Sequence, residues 1–118
     1  MVEAESTDPD RIAALLRAEI EGLTDPPFDA LAVQVPRTEP PVFAVVDDEG
    51  TVFEATRQPD RLVLEFRRQP EAVVEAARAA GLRVRPKATT PPGTVVFLER
   101  AAAVKRAIDV LRAALGSQ

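Results

Sequence analysis

The chain has 118 residues, of which 46% are hydrophobic and 29% are charged, so its composition is that of one ordinary globular domain. Because cysteine and histidine are both absent, the sequence excludes disulfide bonds, thiolate chemistry and a histidine general base near neutral pH. The formal net charge is −4, which does not favour a strongly basic nucleic-acid-binding protein.

We expect a single globular domain over residues 1–118, with frayed tails at residues 1–7 and 116–118. No apolar run reaches the length of about 18 residues that a membrane-spanning helix needs. The start of the chain is acidic and lacks the basic segment of a signal peptide. These features predict a cytoplasmic protein with no membrane partner.

Helix signals stand near the start of the chain. Asp8 followed by Pro9 is typical of an N-cap and first helical turn, and Gly22 marks a helix end, so the pattern predicts a helix over Pro9–Glu21. Apolar residues then alternate over residues 31–35, between prolines. This pattern predicts a short strand at a sheet edge.

The next segments predict a meander of strands. Residues 42–46 form a continuous apolar run that predicts one strand, residues 51–55 predict the next, and the turn-forming residues 47–50 join them. A further strand begins at Arg61, after a turn at residues 58–60. Consecutive strands with short turns indicate an antiparallel arrangement.

Residues 61–85 form the clearest unit, which is strand, helix and strand. The helix begins at Pro70, and Gly81 fits the left-handed position that follows a helix. The second strand alternates from Leu82, and Pro86 is expected to end it. A last strand over residues 94–98 and a helix over about residues 100–115 complete the chain.

The element order α-β-β-β-β-α-β-β-α predicts an α+β fold. We expect an antiparallel sheet of about five or six strands with the helices packed on one face. The predicted core includes Leu64, Phe66, Val73, Ile108 and Leu111, together with most of Phe28, Phe43, Phe53, Phe66 and Phe97.

Two stretches carry a resemblance to a known family. They are Pro92-Gly93-Thr94-Val95-Val96-Phe97 and Val104-Lys105-Arg106-Ala107-Ile108-Asp109-Val110-Leu111-Arg112. From Val42 onward the layout resembles the small bacterial luciferase-domain family, a label that does not establish light-emitting chemistry. Frataxin-like domains are similar in element order. The resemblance implies a meander, a helix, a strand and a final helix, and it implies no functional residue because the family's histidines have no counterpart here.

Charge is unevenly distributed along the chain. Residues 1–56 contain 13 acidic and 3 basic residues, whereas residues 57–118 contain 12 basic and 6 acidic residues. The two parts either neutralise each other within one fold or pair between two copies in a salt-sensitive dimer. Both arrangements are open at the level of sequence.

Two acidic groups are candidates for chemistry. Asp47, Asp48 and Glu49 supply oxygen ligands suited to Mg²⁺ or Ca²⁺, but their spacing is not that of a calcium loop, so a solvated turn is the competing interpretation. Glu54 and Glu65 lie on neighbouring predicted strands and would form either a catalytic carboxylate pair or two outer-face charges that each meet an arginine. We expect no metal and no cofactor.

The best candidate site is a basic patch. Its members are Arg61, Arg67, Arg83, Arg85 and Lys87. Residues 83, 85 and 87 share one strand face if the strand extends that far, and arginine binds phosphates and carboxylates in pairs of hydrogen bonds. The competing interpretation is a solvated face neutralised by the chain's own acids.

The sequence therefore predicts a small non-enzymatic binding or interaction module. Its partner is expected to be a protein or a second copy, bound at the exposed sheet face or a sheet edge. The alternative is an anion-binding or nucleic-acid-binding protein that uses the basic patch, and a third interpretation is an enzyme that acts through carboxylates.

Overall fold

The computed structural model describes residues 5–116, and this range contains three α-helices, six β-strands and two short 3-10 turns. The helices are α1 (Pro9–Glu21), α2 (Pro70–Ala79) and α3 (Val104–Ala114). The strands are β1 (Ala32–Gln34), β2 (Phe43–Asp47), β3 (Gly50–Gln58), β4 (Arg61–Phe66), β5 (Arg83–Lys87) and β6 (Gly93–Leu98). The 3-10 turns, Phe28–Ala30 and Ala101–Ala103, precede β1 and α3.

All six strands belong to one antiparallel sheet with the order β1-β2-β3-β4-β6-β5. The strands β2, β3 and β4 form the expected meander, β1 pairs with β2 at one edge, and β6 pairs with both β4 and β5. The helices α1 and α2 pack against the sheet, and α3 packs against both of them. The predicted α+β fold and its element order are confirmed.

The boundaries of α1 follow from local hydrogen bonds. The side chain of Asp8 accepts a hydrogen bond from the backbone N–H of Asp10 at 3.0 Å, and Pro9 occupies the first helical position. At the other end, the N–H of Gly22 donates to the carbonyl of Ala18 at 3.1 Å. The predicted span Pro9–Glu21 is therefore confirmed.

The end of α2 is a Schellman motif. The N–H of Leu82 donates to the carbonyl of Ala77 at 2.9 Å, and the N–H of Gly81 donates to that of Arg78 at 3.0 Å. Gly81 has the predicted positive φ, at 75°. The motif reverses the chain and delivers it directly into β5.

The core lies between the helices and one face of the sheet. Phe43, Phe53 and Phe66 are at most 1% exposed. The ring centroids of Phe53 and Phe66 are 5.0 Å apart, and those of Phe43 and Phe53 are 6.0 Å apart. The five predicted core residues Leu64, Phe66, Val73, Ile108 and Leu111 are all buried.

Phe97 is buried on the opposite face of the sheet. Its ring is covered by the Arg61 guanidinium, whose carbon lies 4.3 Å from the ring centroid. Only 8% of Phe97 is exposed as a result. A cation stacked on an aromatic ring in this way both shields the ring and fixes the arginine.

The predictions for the two edge strands of the sheet need correction. Pro86 does not end the strand over residues 82–85 but lies within β5, opposite Thr94 of β6. This is tolerated because β5 is an edge strand, where a missing backbone donor faces no neighbour. The strand predicted over residues 31–35 pairs only over Ala32–Gln34, and Val35 beyond it is 56% exposed.

Both predicted tails extend outside the described range, at residues 1–4 and 117–118. Within the described range, the carbonyl of Ser6 accepts a hydrogen bond from the N–H of Ala101 at 2.9 Å, so this segment contacts the 3-10 turn that precedes α3. The longest of the helices in residues 5–116 has 13 residues, and none is long and apolar enough to cross a membrane.

Truncation of a core residue on α3 tests the packing. We expect Leu111→Ala to lower the free energy of unfolding by about 2–5 kcal/mol, because Leu111 is 1% exposed and its removal leaves a cavity. Chemical denaturation measures the change. The control Leu115→Ala, at a half-buried position, should cost less. A loss below about 0.5 kcal/mol for Leu111→Ala would contradict the placement of α3.

Substitution of Gly81 tests the backbone at the end of α2. Gly81→Ala should destabilise by about 1–2 kcal/mol, because an L-residue is strained at positive φ. A Cβ there would lie 3.5 Å from Arg106 Nη1, an ordinary contact, so the cost comes from the backbone. The control is Gly22→Ala, where φ is −83° and no loss is expected. Equal effects of the two substitutions in thermal unfolding would contradict this reasoning.

Candidate functional site

The predicted basic patch lies on the outer face of the sheet, away from the helices. Within β5, Arg83 and Arg85 are exposed and Lys87 is half-buried, and their alternation places all three on this face. Arg61 on β4 shares the face, but β6 separates β4 from β5. The basic residues of the two strands are therefore two strand spacings apart, which is about 10 Å.

Acidic side chains contact four of the five predicted residues. Lys87 Nζ donates to Glu65 at 2.7 Å, and Arg67 Nη2 donates to Glu54 at 2.6 Å. Glu99 lies 3.3 Å from Arg83 Nε and 3.7 Å from Arg61 Nη1. Arg85 has no ion-pair partner among residues 5–116.

The outer face is thus neutralised to a large extent by the chain's own acids. Arg61 is engaged further, since its Nε donates to Gln58 at 2.5 Å and its guanidinium stacks on Phe97. Arg83 keeps 65% of its side chain exposed in spite of its ion pair. The cations that remain available on this face are Arg83 and Arg85, both on the open edge strand.

Glu54 and Glu65 lie directly opposite each other on β3 and β4. Like charges in this position repel, and the repulsion is relieved because each carboxylate meets a different cation, Arg67 or Lys87. Both side chains are about one-third exposed. The arrangement is the predicted pair of outer-face charges rather than a shared carboxylate site in an apolar cleft.

The acidic turn between β2 and β3 binds an arginine. Arg68 donates to both carboxylate oxygens of Asp47 and to the carbonyl of Gly50, the latter at 2.9 Å. Asp47 also accepts the backbone N–H of Glu49 at 2.8 Å. The Arg68 hydrogen bond holds the pKa of Asp47 below its ordinary value of 3.8. No group of three or more potential metal ligands exists among the described residues.

These ion pairs join the acidic and basic parts of the sequence within one molecule. Arg57 contacts Asp10 and Glu39, Arg67 contacts Glu54, and Arg68 contacts Asp47 and Glu49. Each pair links a residue before position 57 to one at or after it. Intramolecular neutralisation is therefore observed, and the salt-sensitive dimer stays a prediction.

An open groove on the helix side of the β5 edge was not predicted. It has a volume of about 480 Å³ and runs between α2 and the end of β5. Its apolar lining includes Pro70 and Val74 on α2, Pro86 on β5, and Pro92 beside β6. Glu71, Glu75 and Arg78 stand on the α2 wall.

The sequence held one signal for this groove. A proline within an alternating strand indicates an open edge, and Pro86 now lines the groove at that edge. Which helix would lie beside the edge depends on tertiary packing, which no local pattern in α2 reveals. Lys87 is the only member of the predicted patch that also lines the groove.

The Asp47–Arg68 pair gives a pH-dependent prediction. Because its folded pKa is lowered, Asp47 contributes stability that is fully present above about pH 4 and is lost as pH falls through the folded pKa. Asp47→Asn should therefore cost on the order of 1–2 kcal/mol at pH 7. The difference from the unsubstituted protein should shrink below about pH 4.

Denaturant unfolding from pH 7 to pH 3 measures this difference. The matched control is Asp48→Asn, which removes an exposed carboxylate from the same turn without removing an Arg68 hydrogen bond. A pH-independent cost of Asp47→Asn, or an equal cost of Asp48→Asn, would show that the ion pair does not stabilise the fold.

Comparison with known proteins adds a family. Residues 1–118 match the model of a family of unknown function, DUF7993. Searches of curated proteins and of solved structures found no match. The luciferase-domain and frataxin-like resemblances are not addressed by these results and stay predictions. Since the match covers the whole chain, the protein belongs to the DUF7993 family, whose function is unknown.

Proposed function

We propose that this protein is a cytoplasmic, non-enzymatic binding module that recognises a segment of a protein partner at the β5 edge. The observation that carries the proposal is the groove between α2 and β5, with a volume of about 480 Å³. Apolar grooves of a few hundred Å³ are typical of binding sites.

The shape of the groove favours a chain segment over a small molecule. The groove is open to solvent and lies beside β5. β5 is the last strand of the sheet, so the edge that faces away from β6 pairs with no other described strand. An extended peptide that adds to such an edge gains backbone hydrogen bonds, while its alternate side chains enter pockets beside the strand. The β5 edge offers both kinds of contact.

The chemistry of the lining favours recognition over catalysis. The Thr94 hydroxyl is 3.3 Å from the carbonyl of Pro70 and is directed to it as a hydrogen-bond donor. Glu71 and Glu75 are exposed on the α2 wall rather than enclosed in the apolar cleft that a catalytic carboxyl group needs. The groove thus presents apolar surface with charged margins, which suits a side chain of a partner.

Anion or nucleic-acid binding on the outer face is the second candidate. The observation in its favour is Arg85, which is exposed and makes no ion pair with any residue from 5 to 116. Glu99 and Glu65 weaken this candidate because they neutralise the two neighbouring cations in β5. Binding to phosphates would show a steep dependence on salt concentration, which separates the two candidates.

A charge placed in the groove tests the first candidate. Peptides are selected from a random displayed library on the immobilised protein, and their dissociation constants are then measured by fluorescence anisotropy. Val74→Glu should weaken the selected peptides by about tenfold or more, because the apolar contact is replaced by a carboxylate that the peptide would desolvate.

The matched control is Val35→Glu, which introduces the same change at an exposed valine near the opposite edge of the sheet. It should leave affinity unchanged. Circular dichroism confirms that both variants are folded. Selected peptides that bind Val74→Glu as tightly as the unsubstituted protein, or that lose affinity equally in both variants, would exclude the groove as the binding site.

A further inference from the structure

The open edge of β5 has different chemistry on its two sides. Arg83 and Arg85 are exposed on the outer face. Pro86 and Val74 line the groove on the helix side. Because side chains alternate along a strand, a strand added to this edge would present its residues in turn to the arginines and to the groove.

The outer face selects for acidic side chains. Directly opposed residues on neighbouring strands have Cβ atoms about 4.5–5.5 Å apart, where opposite charges attract and like charges repel. Arg85 makes no ion pair within residues 5–116, and its neighbour Arg83 keeps 65% of its side chain exposed. A carboxylate at the facing position of an added strand would supply the missing partner of Arg85.

The helix side selects for apolar side chains. Glu71, Glu75 and Arg78 stand on the α2 wall of the groove, none of them forms an ion pair with another described residue, and Lys87 on β5 is paired with Glu65. The charges around the groove are therefore mixed, whereas its lining is mainly apolar. An apolar side chain directed to this side would contact Val74 and Pro86, whereas a charged one would lose its contact with water there. A shift of one residue would exchange the two sides, so the register of the partner is specified.

We propose that the β5 edge binds an extended segment of a partner protein in which acidic and apolar side chains alternate. The acidic side chains face Arg83 and Arg85, and the apolar side chains enter the groove. This inference rests on the proposed function, and it adds the chemical class of the partner.

A second copy of β5 does not meet these requirements. Pairing two β5 strands with their outer faces on the same side would bring Arg83, Arg85 and Lys87 of one copy against the same residues of the other. Both strands would also lack a backbone donor at Pro86. The partner segment therefore has a different sequence.

Two labelled peptides test the charge requirement, one alternating glutamate and valine and the other alternating lysine and valine. The unsubstituted protein should bind the glutamate peptide about five- to tenfold more tightly than the lysine peptide. Arg85→Glu should reverse this preference. The control Arg37→Glu makes the same charge change at an exposed residue between β1 and β2 and should not alter it.

Amide hydrogen exchange tests the binding mode. A sheet accepts a proline where its nitrogen points away from the paired strand, so the nitrogen of Pro86 points away from β6. Backbone N–H groups two residues apart on a strand point to the same side. The Val84 N–H therefore faces the open edge of β5. Its exchange should slow when the glutamate peptide binds. Unchanged exchange at Val84 with tight peptide binding would overturn strand addition.

The outcomes separate this inference from the proposed function. If both peptides bind equally, with no effect of Arg85→Glu but a loss in Val74→Glu, the groove is a binding site and the acidic partner is wrong. If no peptide binds and a DNA oligonucleotide binds in an Arg85-dependent manner, both proposals are wrong. A dimer that Arg85→Glu dissociates in sedimentation would assign the edge to a second copy and overturn the inference.

Discussion

The burial of one face of β4 determines which face of the sheet the side chains of the neighbouring strands occupy. Leu62, Leu64 and Phe66 are at most 1% exposed beneath the helices, and strand geometry then directs Arg61 and Glu65 to the outer face. Backbone pairing transmits this division to β3 and β6 on either side and through β6 to β5. A slip of one residue in β4 would bury charges, so the same constraint fixes the register and keeps the basic residues of β5 outside.

Much of the fold was predictable because its signals are local. The ends of α1 follow from Asp8 and Gly22, and the end of α2 follows from Gly81, each within one helical turn of the boundary that it sets. Strand ends were less predictable because pairing partners set them. β3 extends to Gln58, beyond the predicted residue 55, since β4 continues to pair with it up to that point. Val35 was predicted to belong to a strand but lies outside β1, because no residue of β2 pairs with it.

The candidate site was predictable only in part because it depends on strand order. Alternation correctly placed Arg83 and Arg85 together, but no local pattern showed that β6 would separate β4 from β5. The neutralising role of Glu99, which lies beyond the end of β6 and contacts both Arg61 and Arg83, follows from that order. Prediction of the groove would also have required knowledge that α2 packs beside β5, and this packing is set by tertiary structure. Sequence therefore predicted the charges and missed the cavity beside them.

An open sheet with two dissimilar edges has a route to uncontrolled assembly. If β1 of one molecule paired with β5 of the next, the contact would be head-to-tail and would repeat without closure, which produces a filament. β1 has only three residues, Ala32–Gln34, so it presents too few backbone groups to hold such a contact. The short strand β1 therefore prevents head-to-tail polymerisation of the sheet. The longer edge strand, β5, stays available to a different binding partner.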